Sequence, residues 1–411
     1  MSGAPKDFPK LRPVEAIPIA DGRVCLRDPQ GFSDKLVFLP PPIFFVVSHF
    51  DGRHSILDIQ AEYTRRYGDL LFSEQVRKII DQLDESLFLD SERFAQAYRE
   101  ARAAFAASPV REARHGGISY EAEPEALRRS LDALFQGTEG PDAGASSEEP
   151  PGTLRGLIAP HIDLERGGPC YARSYAELKR ASRASTFVIL GISHGETRRP
   201  YVLTGKDFLT PLGTVAADRE FLEGLGRLTR GDFYEDEFAH RDEHSVEFQA
   251  LLLRYVFPER EDLRIVPVLC ASLPQLHGGE PPEANAEAEE FLAAMGEMLQ
   301  RWGERAGLIA GVDLSHQGRR FGQELSLTSG FLKQLESDDR AMIQRVLQRD
   351  ASGFFRGIQQ ESDRRNVCGV PAIYSLLRLL PPGSARLLRY RQAADSQTQS
   401  VVTFMSAAFY N

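Results

Sequence analysis

At 411 residues the chain exceeds what one hydrophobic core ordinarily serves, so two domains are expected. Hydrophobic residues make up 42% and charged residues 26%, the balance of a soluble globular protein, which excludes a fibrous or disordered chain. A net charge of −10 argues against nucleic acid as a partner, because phosphate binding draws on concentrated Lys and Arg. No stretch approaches the roughly 20 apolar residues that span a bilayer. The opening MSGAPKDFPKLRP lacks the apolar run of a secretory signal. Cys25, Cys170, Cys270 and Cys368 are scattered with no CxxC pair, which suits free thiols in a reducing compartment. The expectation is a cytoplasmic protein that uses neither membrane nor nucleic acid.

Residues 1–110 read as a small winged-helix-like unit. A strand-like VCLRDP leads into KLVFLPPPIFFVVSHF, and Ser55 is placed to cap a helix carrying Ile56, Ile59 and Tyr63 on one face. Ser73 precedes a second helix with Val76, Ile79, Ile80 and Leu83 in register, and Leu87 and Leu89 are expected to open a small closing hairpin. The run from DGRHSILDI to DESLFLD resembles the PqqD-like peptide-recognition domains, which implies a peptide partner. A helical accessory unit without a ligand is the other reading. The Ala/Arg-rich ERFAQAYREARAAFAAS is a connector helix.

Beyond it, apolar runs alternate with helical stretches. LRGLIAP, STFVILGIS, RIVPVLCASL, AGLIAGVDLS and LLRYRQAA read as strands. YARSYAELKR, SVEFQALLLRYVF, EANAEAEEFLAAMGEMLQRW and SDDRAMIQRVLQR read as helices. Continuous apolar strands between helices predict an α/β fold, with a mostly parallel or mixed sheet covered on both faces. Functional groups in such sheets gather past the carboxyl ends of the strands.

Three of these strands end alike: the first delivers His161, the second His194, and AGLIAGVDLS delivers Asp313 and His316. One histidine at a strand end is ordinarily structural, but three at adjacent parallel strand ends can converge. Cys368, just before a helix expected to begin at Pro371, joins them as a thiolate favoured by the helix dipole. Imidazole with thiolate favours iron, copper or zinc over magnesium or calcium. HRDEHSVE also fits the H-x-x-E-H pattern of inverted zinc peptidases through His240 and His244. Asp242 is the expected cap of that helix, which leaves His240 in a polar loop and Glu243, His244 and Glu247 as acid/base or supporting groups. Neither a GxxxxGK[ST] loop nor a dinucleotide-type glycine turn is present, so no nucleotide is expected. Arg319 and Arg320 near His316, and Arg364 and Arg365 near Cys368, are either solvated charges or a clamp for an anionic substrate.

In chain order, HGGISY, LIAPHIDL, VILGISHGE, DEHSVEFQ, IVPVL, GVDLSHQG and VCGVPAI resemble the Memo family, in particular protein B of the AmmeMemoRadiSam system. The resemblance covers His115 to Asn411. It sets a second domain at 111–411 and makes the Gly/Pro/Ser/Glu-rich segment 137–152 a mobile internal loop, since HGGISY precedes it. It implies the fold of class III extradiol dioxygenases, whose two histidines and a carboxylate hold non-haem Fe(II), with cysteine replacing the carboxylate in Memo proteins. The implied metal ligands are His161, His194 and Cys368. The implied catalytic layer is Asp313 and His316 of DLSH, with His316 as acid/base, and Glu243 and His244 of EHS. This chain departs from the family pattern at Ile162, Asp163 and Leu164, at Gly195 and at Gln317, all beside those positions. The resemblance implies a metal-dependent, dioxygenase-like redox enzyme using Fe(II) or copper, with zinc possible, beside a radical SAM enzyme and an AMMECR-type protein. A non-catalytic peptide- or protein-binding adaptor and a zinc hydrolase built on HRDEH are the alternatives.

Overall fold

The computed structural model describes residues 7–19, 21–137, 140, 149–272 and 280–411. Most of the expected internal loop, residues 138–139 and 141–148, lies outside the described residues. The chain divides into two units, Met1–Ala107 and Ser108–Asn411. Val110, assigned above to the first, pairs with Asp207 in the second.

In the first unit, strands β1 (Glu15–Pro18), β2 (Val24–Arg27) and β3 (Val37–Leu39) form an antiparallel sheet. Helices α1 (Pro41–Ser48), α2 (Ile56–Tyr67), α3 (Ser73–Glu85) and α4 (Glu92–Ala107) follow. Ser55 caps α2 in a reciprocal capping box with Asp58. Val46, Phe50, Ile59, Val76, Ile80 and Phe88 form the core. A buried Arg12–Asp28 pair at 2.7 Å braces the edge of this unit. No closing hairpin forms among the described residues. The strands stand ahead of the helices, and Leu89 makes only a bridge to Leu11 before the chain enters α4.

The second unit opens with β4 (Val110–Arg111), α5 (Pro124–Gln136), β5 (Leu154–Ala159), α6 (Leu164–Ala181) and β6 (Thr186–Ile192). Then come β7 (Tyr201–Leu203), β8 (Asp207–Thr210), β9 (Gly213–Ala217), α7 (Arg219–Leu228), α8 (His244–Val256) and β10 (Arg264–Cys270). After these, α9 (Ala286–Trp302), β11 (Ala306–Gly311), β12 (His316–Gly318), α10 (Ser329–Leu347), α11 (Ala351–Gln360) and α12 (Val370–Leu379) lead to the hairpin β13 (Ser384–Asp395) and β14 (Ser400–Tyr410). The strands form one mixed 11-stranded sheet in the order β12-β14-β5-β11-β6-β10-β9-β8-β4, with β13 on β14 and β7 on β10. Its centre, β5-β11-β6-β10, is parallel.

The central strands are apolar on both faces because both are covered. Val188, Leu190 and Ile192 of β6 pack into a core with α7, α9, α10, α11 and α12, while Phe187 and Ile189 face α5, α6 and α8. The unanticipated β14 is buried along its whole length and joins the parallel centre to the antiparallel edge.

A buried ion pair fastens the 111–120 segment to α8. Glu247 accepts from the guanidinium of Arg111 and the hydroxyl of Tyr120, and from the backbone N–H groups of Arg114 (3.2 Å) and His115 (3.0 Å). Burial opposes the charge on Glu247, but Arg111, His115 and Tyr120 together hold its carboxyl below the usual range. Its stabilising contribution is therefore complete above the unfolded-state value and is lost as pH falls through the folded-state one. Glu247→Gln should cost about 3–5 kcal/mol at pH 7 by stranding Arg111. In denaturant titrations across pH, its deficit against wild type should shrink below about pH 4. A deficit that persists unchanged in acid contradicts this assignment.

Candidate metal centre

The parallel strands β5, β11 and β6 lie side by side, so the residues just past their carboxyl ends are neighbours: His161 after β5, Asp313 after β11 and His194 after β6. A fourth group comes from α8, whose first residue is His244. Ser245 ties the helix start to the end of β6, its hydroxyl donating to the Ile192 carbonyl (3.1 Å) and accepting from the Ile192 N–H (3.0 Å). Two glycines let α8 approach this closely. A Cβ on Gly191 would stand 2.5 Å from the Ser245 hydroxyl, and one on Gly311 would stand 2.6 Å from the Ser245 carbonyl oxygen.

The result is a triangle of imidazoles. Ring centroids are 5.1 Å apart for His161 and His194, 5.1 Å for His161 and His244, and 4.9 Å for His194 and His244. One nitrogen from each lies within 4.8 Å of the others, the group of metal-ligand character found among the described residues. Cys368 is not a member of this group: it approaches His161, with Sγ 3.4 Å from Nε2, and the third converging ligand atom belongs to His244.

Hydrogen bonds set the ring tautomers. The Nδ1 of His161 lies 3.1 Å from the Gly311 carbonyl, which only accepts, so Nδ1 carries the proton and Nε2 keeps its lone pair. The Nδ1 of His194 lies 3.0 and 3.1 Å from the Glu243 carboxylate oxygens, and the Nδ1 of His244 lies 3.3 Å from the same group. Glu243 also accepts from the backbone N–H groups of His194 (3.1 Å) and Ser245 (3.0 Å), so one carboxylate caps α8 and orients two rings. Burial opposes ionisation of Glu243, but the rings of His194 and His244 and the Ser245 N–H hold its carboxyl well below the usual range.

Burial sets most of the remaining protonation states. It pushes His161 well below the ordinary imidazole range, helped by repulsion from His194 and His244. It takes His244 and His316 each to about 4. Desolvation works against the charged form of His194 although its side chain is 44% accessible, but Glu243 reverses this and the net shift is upward. Asp313 is raised to about 7 by burial, although its Oδ1 accepts from the backbone N–H groups of His161 (3.1 Å) and Ile162 (3.3 Å).

Several expectations need correction. The Cys368 thiol is not favoured as a thiolate in the metal-free protein: burial and then the Asp313 charge push it up, although α12 begins just beyond at Val370. Asp313 braces the His161 turn and stands 3.7 Å from the His161 Nε2, whereas His316 is oriented by the Leu314 carbonyl (3.1 Å) and packs edge-on against Phe321. Glu243, not Asp242, caps α8. His240 is buried in a 3-10 turn and donates from Nε2 to the Val202 carbonyl (3.0 Å), so HRDEH does not place two metal ligands on one helix face. Glu247 is fully engaged with the 111–120 segment. Arg365 is buried against Asp339 and Glu361 and so is no solvated charge or anion clamp, while the exposed Arg364 pairs with Asp338. His115, used above only as part of HGGISY, lies edge-on to His244 at 5.5 Å and bonds the Asp242 carbonyl through Nε2 (3.0 Å). Its sole sequence signal was its place in that motif.

Nitrogen NMR of the histidine side chains in metal-free protein at neutral pH should show His161 in the Nδ1–H tautomer. An Nε2–H signal for His161 contradicts the geometry.

Comparison with known proteins agrees with the motif order. The model of the family described as Memo-like protein matches residues 111–408. A MEMO1 family protein of Aquifex aeolicus is 27% identical over 405 residues, covering 98% of this chain and 100% of the relative, so that match spans both units. One from Methanopyrus kandleri is 30% identical over 283 residues, covering 68% of this chain and 90% of the relative. Another from Thermus thermophilus is 24% identical over 355 residues, covering 86% of this chain and 98% of the relative. The chain belongs to the Memo family.

Proposed function

We propose that His161, His194 and Cys368 hold a single transition-metal ion and that the protein is a metal-dependent oxidoreductase. The observation that carries this reading is the pairing of two imidazoles, each tied through Nδ1 and so offering Nε2, with a thiol 3.4 Å from one of those Nε2 atoms. Sulfur and nitrogen bound tetrahedrally to one ion at ordinary lengths would be about 3.6 Å apart, so the pair needs little movement to share it. The soft donor suits iron, copper or zinc. Bound iron or copper supplies one-electron chemistry and affinity for dioxygen.

The other residues have roles that follow from their surroundings. Glu243 orients His194 from behind, the carboxylate–histidine arrangement that raises ligand basicity. Asp313 keeps the His161 turn in place through two backbone N–H groups. His316 and His244 are held neutral at physiological pH by burial, and in this reading they exchange protons with a substrate. The exposed edge of His194, whose side chain is 44% accessible, marks the side from which substrate arrives.

Protein purified without oxygen should carry about one transition-metal ion per chain by elemental analysis. His161→Ala and Cys368→Ser should each lower metal affinity by at least about tenfold, and Glu243→Gln by roughly 10–100-fold. A wild-type protein that binds no iron, copper or zinc above background removes this reading.

A second reading, an adaptor that recruits a radical SAM enzyme or an AMMECR-type protein, has one specific observation behind it. The first unit exposes Leu57, Leu70 and Phe72 at 73%, 74% and 62% accessibility, the last two close in sequence just ahead of α3. If a peptide segment of such a partner docks there, Leu70→Asp and Phe72→Asp should weaken calorimetric binding by roughly tenfold without changing metal content. Equal binding by the variants rejects that surface.

A further inference from the structure

The loop that delivers Cys368 and the turn that delivers Asp313 and His316 come from distant parts of the sequence, and one buried carboxylate joins them. Asp339 lies on α10 with no solvent exposure. Its Oδ1 accepts from the Ser315 hydroxyl (2.6 Å) and from Nη1 of Arg365 (2.5 Å), and its Oδ2 accepts from the Tyr390 hydroxyl (2.8 Å). Ser315 sits inside the 313–316 turn, and Arg365 stands three residues before Cys368. The Arg365 carbonyl closes the circuit by accepting from the backbone N–H of His316 (2.8 Å).

Ser362, Asp363 and Asn366 all have left-handed backbone angles (φ 53°, 47° and 54°), a region uncommon for serine but tolerated by Asp and Asn, and the Asp363 side chain ties the turn locally by accepting from the Val367 N–H (2.9 Å). The guanidinium of Arg365 ties the two ends of this loop to the body of the domain, gripping Glu361 with Nη2 (2.5 Å) while Nη1 reaches Asp339. Beyond the loop, the Cys368 Sγ lies 3.6 Å from the Asp313 carbonyl.

We propose that Asp339 is a positioning residue for the centre: through Arg365 and Ser315 it sets where Cys368 stands relative to the 313–316 turn. It touches neither a candidate ligand nor the space in front of them. Its effect is to fasten the thiol-bearing loop to the 313–316 turn through the buried Arg365 and Ser315. This concerns the same centre as the proposed metal site, but its test is carried out without metal.

Cys368 is half-buried while Cys25, Cys170 and Cys270 are buried, so alkylation of the folded, metal-free full chain, mapped by mass spectrometry, reports on this one loop. Asp339→Asn is expected to speed Cys368 alkylation by about tenfold or more as the loop opens locally. Val346→Ala, which removes packing from the same helix in the main core, should leave that rate within about twofold of wild type. Arg365→Lys keeps the charge but cannot grip both carboxylates, and it gives the same acceleration if Asp339→Asn does not fold. Equal acceleration by Val346→Ala, or none by the Asp339 and Arg365 variants, overturns the proposal. Because no metal is present, that outcome is separate from a failure of metal binding in the wild type.

Discussion

A buried carboxylate shared between a strand end and a helix start is the interaction on which the centre of this protein depends. Glu243 accepts from the backbone and ring of His194 past β6, from the backbone of Ser245 in α8, and lies against the ring of His244. Burying a carboxylate is costly unless donors surround it, and here the donors are the groups whose positions matter. The same contacts that keep Glu243 ionised therefore fix two imidazoles at once. The rest of the local architecture serves this meeting: glycines at 191 and 311 admit the helix, and Ser245 locks it to Ile192.

Around Glu243 the protein separates charge from neutrality. His161, His244 and His316 are kept neutral by burial, so their lone pairs are available without loss of a proton. Cys368 and Asp313 are also pushed toward their neutral forms in the absence of a cation. Burial therefore disfavours uncompensated charge of either sign here, and Glu243 and His194 stay charged because each faces the other.

Two further buried acids work at a distance from the rings. Glu247 secures the 111–120 segment over the start of α8, and Asp339 secures the loop that carries Cys368. Each is paired with an arginine that is itself almost fully buried, and each joins segments more than 20 residues apart in sequence. Buried acids that serve only to join segments explain why acidic motifs in this chain are poor guides to chemistry when read alone.

The local patterns of the sequence determined a good deal. Apolar runs such as FVILGI and GLIAG identified the central parallel strands, because a strand covered on both faces has no polar alternation to hide it. Ser55 announced the cap of α2, and His161, His194 and Asp313 were recognisable as strand-end residues. The sequence did not reveal β14 as a strand, since VVTFMSAAFY is equally apolar as a buried helix, and only its pairing with β5 and β13 decides the matter. Nor did it separate the acids: Glu243 and Glu247 lie one helical turn apart, yet one faces the imidazoles and the other faces Arg111. Arg365 read as either a solvated charge or part of an anion clamp until its partner Asp339, 26 positions away, was placed beside it. Strand ends are local properties and can be read from the chain. Which carboxylate meets which cation is settled only when distant segments pack, because burial, not residue type, decides what each charge is worth.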